Sequence, residues 1–268
     1  MNEAHERIAT FRTRRVEQAR EAKGSLALVL TQWVDDVQEI WGVPGSWSPR
    51  TDGLPGLSLT VGSDQGVHVN GKLVDGTVAL DGPGGDAPAT IVFSETRQGT
   101  IIGEAGLFAL RVWDSQSDEI QRFGGIDSFE YSPDWVLTGQ WKPNPEGTLI
   151  EMDKKSGSTS VETIPGEIEF THDGHTVSLI TVSTGRALQI VFADETNGVE
   201  TYSVGRFLFV VPNPDGTVTL DFNLAVLPPC AFSYSFNCPI PPKQNRLPFS
   251  VRAGEKNVVD VKGDLLHA

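Results

Sequence analysis

Few side chains in this sequence have the type and spacing that chemistry demands. Its two cysteines, Cys230 and Cys238, lie eight positions apart in PPCAFSYSFNCP. Structural zinc sites pair ligands about two to four residues apart and complete the set with a second pair. This segment meets neither condition. A nucleophilic cysteine needs an adjacent base to form its thiolate, and the sequence points to none. Buried free thiols are therefore the expected state, with a local disulfide as the other outcome. His172 and His175 flank the Asp173-Gly174 turn dipeptide. A pair so placed could hold a metal, but no third ligand stands nearby, so an exposed hairpin tip is expected and no metal. No cofactor motif is present, and no cofactor is expected.

The arginines on strands carry more. Arg111 sits inside the apolar run LFALRVWD, where a charge is costly unless paired with a carboxylate or an anionic ligand. Arg206 lies in TYSVGRFLFVV and shares one strand face with Tyr202, Val204, Leu208 and Val210. Asp221 and Asn223 share a face of the next strand, TVTLDFNLAV. Asn213-Pro214-Asp215-Gly216 joins the two. With a two- or four-residue loop, Arg206 opposes Asn223 and a polar cluster forms, while Phe207 and Phe209 meet Val218, Leu220 and Phe222 as core. A three-residue loop with Gly216 left-handed flips one strand's faces. Turn chemistry favours the second register. Segregation of apolar from polar side chains favours the first, which is the expectation adopted here.

The elements that must position these residues are β-strands. With 28 glycines and 17 prolines in 268 residues, the chain suits many short strands better than long helices. Asn70-Gly71, Asp75-Gly76 and Asp173-Gly174 mark hairpins between alternating runs. SLALVLTQWV reads as a strand, and KPNPEG (142–147) and EMDKKSGSTS (151–160) as loops. The stretch from Pro228 to Glu255 is Pro-rich and irregular. Residues 2–23 form a charged surface helix with sparse apolar positions (Ile8, Phe11, Val16), ended by Gly24 and Ser25. The expected fold is all-β, a mostly antiparallel sandwich or barrel-like body with an N-terminal helix. Its parts are a helix at 1–24, a β subdomain at 25–124 and a second at 125–268.

The formal net charge of −14 repels nucleic acid and anionic membrane surfaces, and neither is an expected partner. The N-terminus lacks the apolar core of a secretory signal, and no run reaches the ~18 residues of a membrane span. A cytoplasmic protein is expected.

In the C-terminal third, the segments FADETNG, TYSVGRFL, LDFN, CAFS, CPIPPKQNRLP and VRAGEK follow one another in an order that resembles the bacterial family catalogued as domain of unknown function 1684. GVPGSW, LRVWD and FEYSPDW resemble it more loosely. The resemblance implies a cytosolic, β-rich bacterial protein and no established reaction. It maps recurrent polar positions onto Asp194, Thr196, Thr201, Tyr202, Arg206, Asp221, Asn223, Cys230, Cys238, Asn245 and Glu255. Where the family tends to read Ala-Tyr-Asn-Pro-Tyr-Cys after LDFN, this chain has Ala225 to Cys230 as AVLPPC, so a Tyr and an Asn are replaced beside these positions.

Two functions follow. In the first, the chain binds an unknown small molecule, anionic in character, and Asp221 or Asp194 orients the arginine or acts as the base of an uncharacterised enzyme. Arg206, with Arg111, forks onto the anion, and Tyr202 and Asn223 direct hydrogen bonds. Thr196, Cys230, Asn245 and Glu255 complete the candidate set, and the Pro-rich segment 228–248 walls it. In the second, a non-catalytic module uses the same polar residues as a buried network that fastens strands.

Overall fold

The computed structural model describes residues 2–85, 87–104 and 106–267. The fold is mostly antiparallel β-sheet with an N-terminal helix, and among the described residues no sheet closes into a barrel. The chain divides into two compact units. One comprises residues 18–121 together with Ser233–Phe236. The other comprises residues 1–17, 122–232 and 237–268.

In the first unit, a six-stranded sheet runs in the order Leu28–Val34, Leu107–Asp114, Arg97–Glu104, Ile91–Val92, His68–Val69 and Lys72–Leu73. A four-stranded sheet runs Gln38–Glu39, Ser46–Pro49, Gly56–Val61 and Gly76–Asp81. The two share a core around Trp47, Leu57, Leu59, Leu80, Ile91 and Leu110. The run SLALVLTQWV supplies the strand Leu28–Val34, as β-branched and aromatic residues favour. Asn70 (φ 50°) and Gly71 (φ 77°) make the two-residue turn that the dipeptide predicts, since both central positions must be left-handed.

The second unit holds the family-like segments. Its four-stranded sheet runs His175–Ile180, Thr159–His172, Val136–Asp153 and Thr217–Asp221. A three-stranded sheet runs Val182–Thr184, Ala187–Phe192 and Arg206–Val210, and a ribbon pairs Phe123–Ser128 with Glu255–Asp260. Ile168, Ile190, Phe192, Leu208, Leu220, Phe222 and Val251 belong to one core. KPNPEG, read as a loop, lies instead within the long strand Val136–Asp153, where the pairing slips between Pro143 and Thr148. That slip is the β-bulge compromise by which a strand accommodates residues that cannot all donate to the ladder.

The helix spans Asn2–Ala19, four residues shorter than expected. Gly24 lies against its last turn, where a Cβ would sit 2.3 Å from the Gln18 carbonyl oxygen, so that glycine serves close approach after the helix has ended. Residues 4, 8, 11, 12, 15, 16 and 19 form a half-buried to buried stripe at helical spacing. Arg12 and Arg15 fall within it.

Candidate functional site

Arg206 and Asp221 do not meet. Their strands turn away from each other into different sheets: Arg206–Val210 pairs with Ala187–Phe192, and Thr217–Asp221 pairs with Val136–Gln140. The connection is the three-residue form. Asn213 N–H donates to Thr217 O at 2.8 Å, Gly216 N–H donates to Asn213 O at 3.0 Å, and Gly216 is left-handed at φ 82°. The expected facing is thereby corrected. Arg206, Leu208 and Val210 point into the core, whereas Phe209 and Val211 are 47% and 62% exposed. Turn chemistry outweighed side-chain segregation because the arginine finds its hydrogen bonds in the interior.

Those bonds are numerous. The Arg206 side chain is fully buried and forms an ion pair with Asp194, Nη2 to Oδ2 at 2.7 Å. Nη2 also donates to Val251 O at 2.7 Å, and Nη1 donates to the carbonyls of Ala253 and Glu255. The guanidinium lies over the Phe192 ring, 5.2 Å from its centroid. Burial pulls the Arg206 pKa below its ordinary value, and the Asp194 charge opposes the shift. Asp194 is itself fixed: its Oδ1 accepts from Thr196 N at 2.9 Å and from Val251 N at 3.1 Å. One guanidinium therefore ties the turn after Ala187–Phe192 to the extended segment 251–255, as a buried charge requires.

The other carboxylates are met by the N-terminal helix. Glu255, 2% exposed, accepts a forked pair from Arg15 at 2.7 and 3.0 Å and a third bond from Leu227 N–H at 2.7 Å. Asp221 Oδ2 accepts from Arg7 at 3.2 Å, and its Oδ1 caps Asn223 N at 3.1 Å. Arg12 donates to Phe129 O at 2.5 Å. Burial lowers its pKa below the usual guanidinium value, against the raising effects of Glu255 and Asp127. These arginines escape a reading of the C-terminal motifs. The signal that would find them is their place in the buried stripe of a helix that looks, by composition, merely charged.

The two asparagines act as backbone clamps. Asn223 exchanges bonds with the main chain of Ser132, accepting at 2.9 Å and donating at 2.9 Å. Asn245 accepts from Ile180 N at 2.7 Å and donates to Ile180 O and Val191 O at 2.9 and 2.8 Å. Thr196 and Thr201 bond through their hydroxyls at 2.9 Å. Arg111 belongs to the other unit, where its guanidinium lies 5.2 Å from the Phe236 ring centroid.

Tyr202 and Cys230 do converge. Tyr202 Oη donates to Cys230 O at 2.9 Å and lies 3.6 Å from Cys230 Sγ. Lys155 Nζ, which the sequence did not single out, donates to the same phenol oxygen at 3.2 Å. Both cysteines are buried and free. His172 packs against Trp135 and Phe249 at centroid distances of 4.8 and 5.0 Å. No group of three or more metal-ligating side chains is found among the described residues. Recesses along the described surface measure about 940, 840, 470, 330 and 230 Å³, and Thr201 and Tyr202 are among the residues that line the last.

Fold and site together define a β protein whose buried polar residues are engaged with one another and with the backbone. The chain belongs to the family described as protein of unknown function (DUF1684), whose profile matches residues 121–256. It is also similar to the solution NMR structure of an uncharacterized protein from Haloarcula marismortui, at 31% identity, covering 49% of this chain and 76% of that one with a TM-score of 0.42. No curated protein matches it. No helix of the described residues is long and apolar enough to cross a membrane.

Proposed function

We propose that this protein is a non-catalytic module whose buried polar residues fasten strands, rather than a site for an anionic small molecule. The observation that supports this most strongly is the environment of Arg206. Its two Nη atoms are already held by Asp194 and three carbonyl oxygens in a fully buried setting. An anion would have to displace Asp194, which leaves a buried carboxylate unpaired at a cost of about 3–5 kcal/mol. The helix arginines likewise occupy Asp221 and Glu255. A compartment that keeps thiols reduced, the cytoplasm of a bacterium, agrees with two buried free cysteines and with the family resemblance.

The small-molecule reading keeps one observation in its favour, the recess lined by Tyr202, Ser203, Asn257 and His267. At about 230 Å³ it falls below the roughly 300–1,000 Å³ usual for ligand pockets. A thermal-shift screen with inorganic phosphate and small di- and tricarboxylates separates the two readings. The expected result is no stabilisation. A specific anion at ~100-fold its dissociation constant would add about 2.7 kcal/mol. Stabilisation of that size, abolished by Ser203→Ala or Asn257→Ala, would overturn the proposal.

A further inference from the structure

We propose that Cys230 and Cys238 form a redox-active dithiol, in which a hydroperoxide oxidises Cys230 and Cys238 resolves it to an intrachain disulfide. Cys230 sits in a short 3-10 turn, Pro229–Ala231, and its backbone N–H donates to Cys238 Sγ at 3.2 Å. That bond sets the Cys238 sulfur against the backbone of the residue that carries the other thiol, and both thiols are buried. The segment carrying Cys238 is held against the turn at Lys154–Ser158. Lys155 N–H donates to Cys238 O at 3.0 Å, Ile240 N–H donates to Asp153 O at 2.7 Å, and Lys154 bridges to Pro239. Both sulfurs are thereby fixed in position before any oxidant arrives.

The surroundings make the two thiols unequal. Around Cys230 stand the Cys238 thiol, the Tyr202 phenol at 3.6 Å and, behind that phenol, the Lys155 ammonium. A thiolate gains from every one of these, because each offers a proton or a positive charge. The Cys230 thiol is lowered to about 7, chiefly by the Cys238 hydrogen bond, against the opposing effect of burial. The Cys238 thiol is pushed up, chiefly by its neighbour's sulfur and by burial. An attacked sulfur beside a protonated partner is the asymmetry that disulfide formation uses. Inert buried cysteines have no need of such a donor set.

The chemistry balances in two steps. The Cys230 thiolate attacks one peroxide oxygen, an S–O bond forms, the O–O bond breaks, and hydroxide takes up a proton and leaves as water. Cys238 then attacks the sulfenic sulfur and gives up its proton, an S–S bond forms, the S–O bond breaks, and a second water departs. Two thiols lose two electrons and the peroxide gains them.

The test uses the full chain exposed to hydrogen peroxide, then denatured and alkylated with N-ethylmaleimide. The expected product is a monomer lighter by two hydrogens with neither thiol alkylated, reversed by dithiothreitol. In Cys238→Ser, Cys230 stops as the sulfenic acid and is captured by dimedone. The proposal falls if the native wild-type chain keeps both thiols alkylatable after peroxide treatment that cross-links the urea-unfolded chain. It falls equally if dimedone marks Cys238 in Cys230→Ser but not Cys230 in Cys238→Ser. The wild-type measurement needs no variant to fold.

Discussion

Arg15 and Glu255 form a forked ion pair, 2.7 and 3.0 Å, between residues 240 positions apart in sequence. Glu255 is buried, and Arg15 is partly so. The pair therefore works in a setting where removing one partner strands a charge.

Arg15→Ala is expected to destabilise the protein by about 1–3 kcal/mol, the cost of leaving a buried acceptor short of its donors. Glu255→Gln should cost less than Glu255→Ala, because the amide oxygen still accepts from Leu227 N–H. A double-mutant cycle of Arg15→Ala with Glu255→Gln, read by urea denaturation, should give a coupling of about 0.5–3 kcal/mol. Simple additivity would show the pair to be incidental. Arg7→Ala, whose side chain is 65% exposed, should cost under about 1 kcal/mol.

Arg206→Ala and Asp194→Asn should each cost about 3–5 kcal/mol, since each leaves the other member unpaired in the core. The double variant Arg206→Met, Asp194→Leu should lose less than the sum of the single losses, because no orphan charge remains. Equilibrium unfolding of the three variants decides this. A double variant as unstable as the sum would mean that the carbonyls of Val251 and Ala253 depend on the guanidinium.

Gly254 and Gly174 are both left-handed, at φ 79° and 77°, but in different surroundings. A Cβ on Gly254 would lie 2.6 Å from Ala225 O and 2.8 Å from Phe222 O, while one on Gly174 would meet nothing within 4 Å. Gly174→Ala should cost about 1–2 kcal/mol of backbone strain alone. Gly254→Ala should shift the urea midpoint clearly further. Equal shifts would mean that the 222–225 turn moves aside freely.

The rate at which peroxide closes the disulfide should rise with pH, reaching half its maximum below the midpoint of a free thiol, because the Cys230 thiol is lowered. The sign follows from the thiolate being the reactive form, whose population grows as pH passes the pKa. The groups facing that sulfur are the Cys238 thiol, the Tyr202 phenol and the Lys155 ammonium. Tyr202→Phe removes a donor to the thiolate and should move the midpoint upward. A midpoint near ~8.5, that of a free thiol, would mean that none of these neighbours acts.

Much of the fold is legible residue by residue. Asn70-Gly71 and Asp173-Gly174 adopt the left-handed pairs their composition demands, and LFALRVWD is a strand along its length. That Arg206 would need a partner follows from its apolar neighbours. Which carboxylate answers does not, because Asp194 and Asp221 lie at similar sequence distance on either side. The choice depends on two strands parting into different sheets after a single turn, and that is a tertiary event with no local signature. The arginines of the helix were hidden for a related reason. Sparse apolar residues made its inner face look like a surface, when Arg12 and Arg15 complete it.

The early helix and late acidic residues also set an order of events during synthesis. Arg15 leaves the ribosome 240 residues ahead of Glu255. At about 5–20 residues per second the helix waits roughly 10–50 s for its counter-charge. The forked pair can close only after Glu255 has been made.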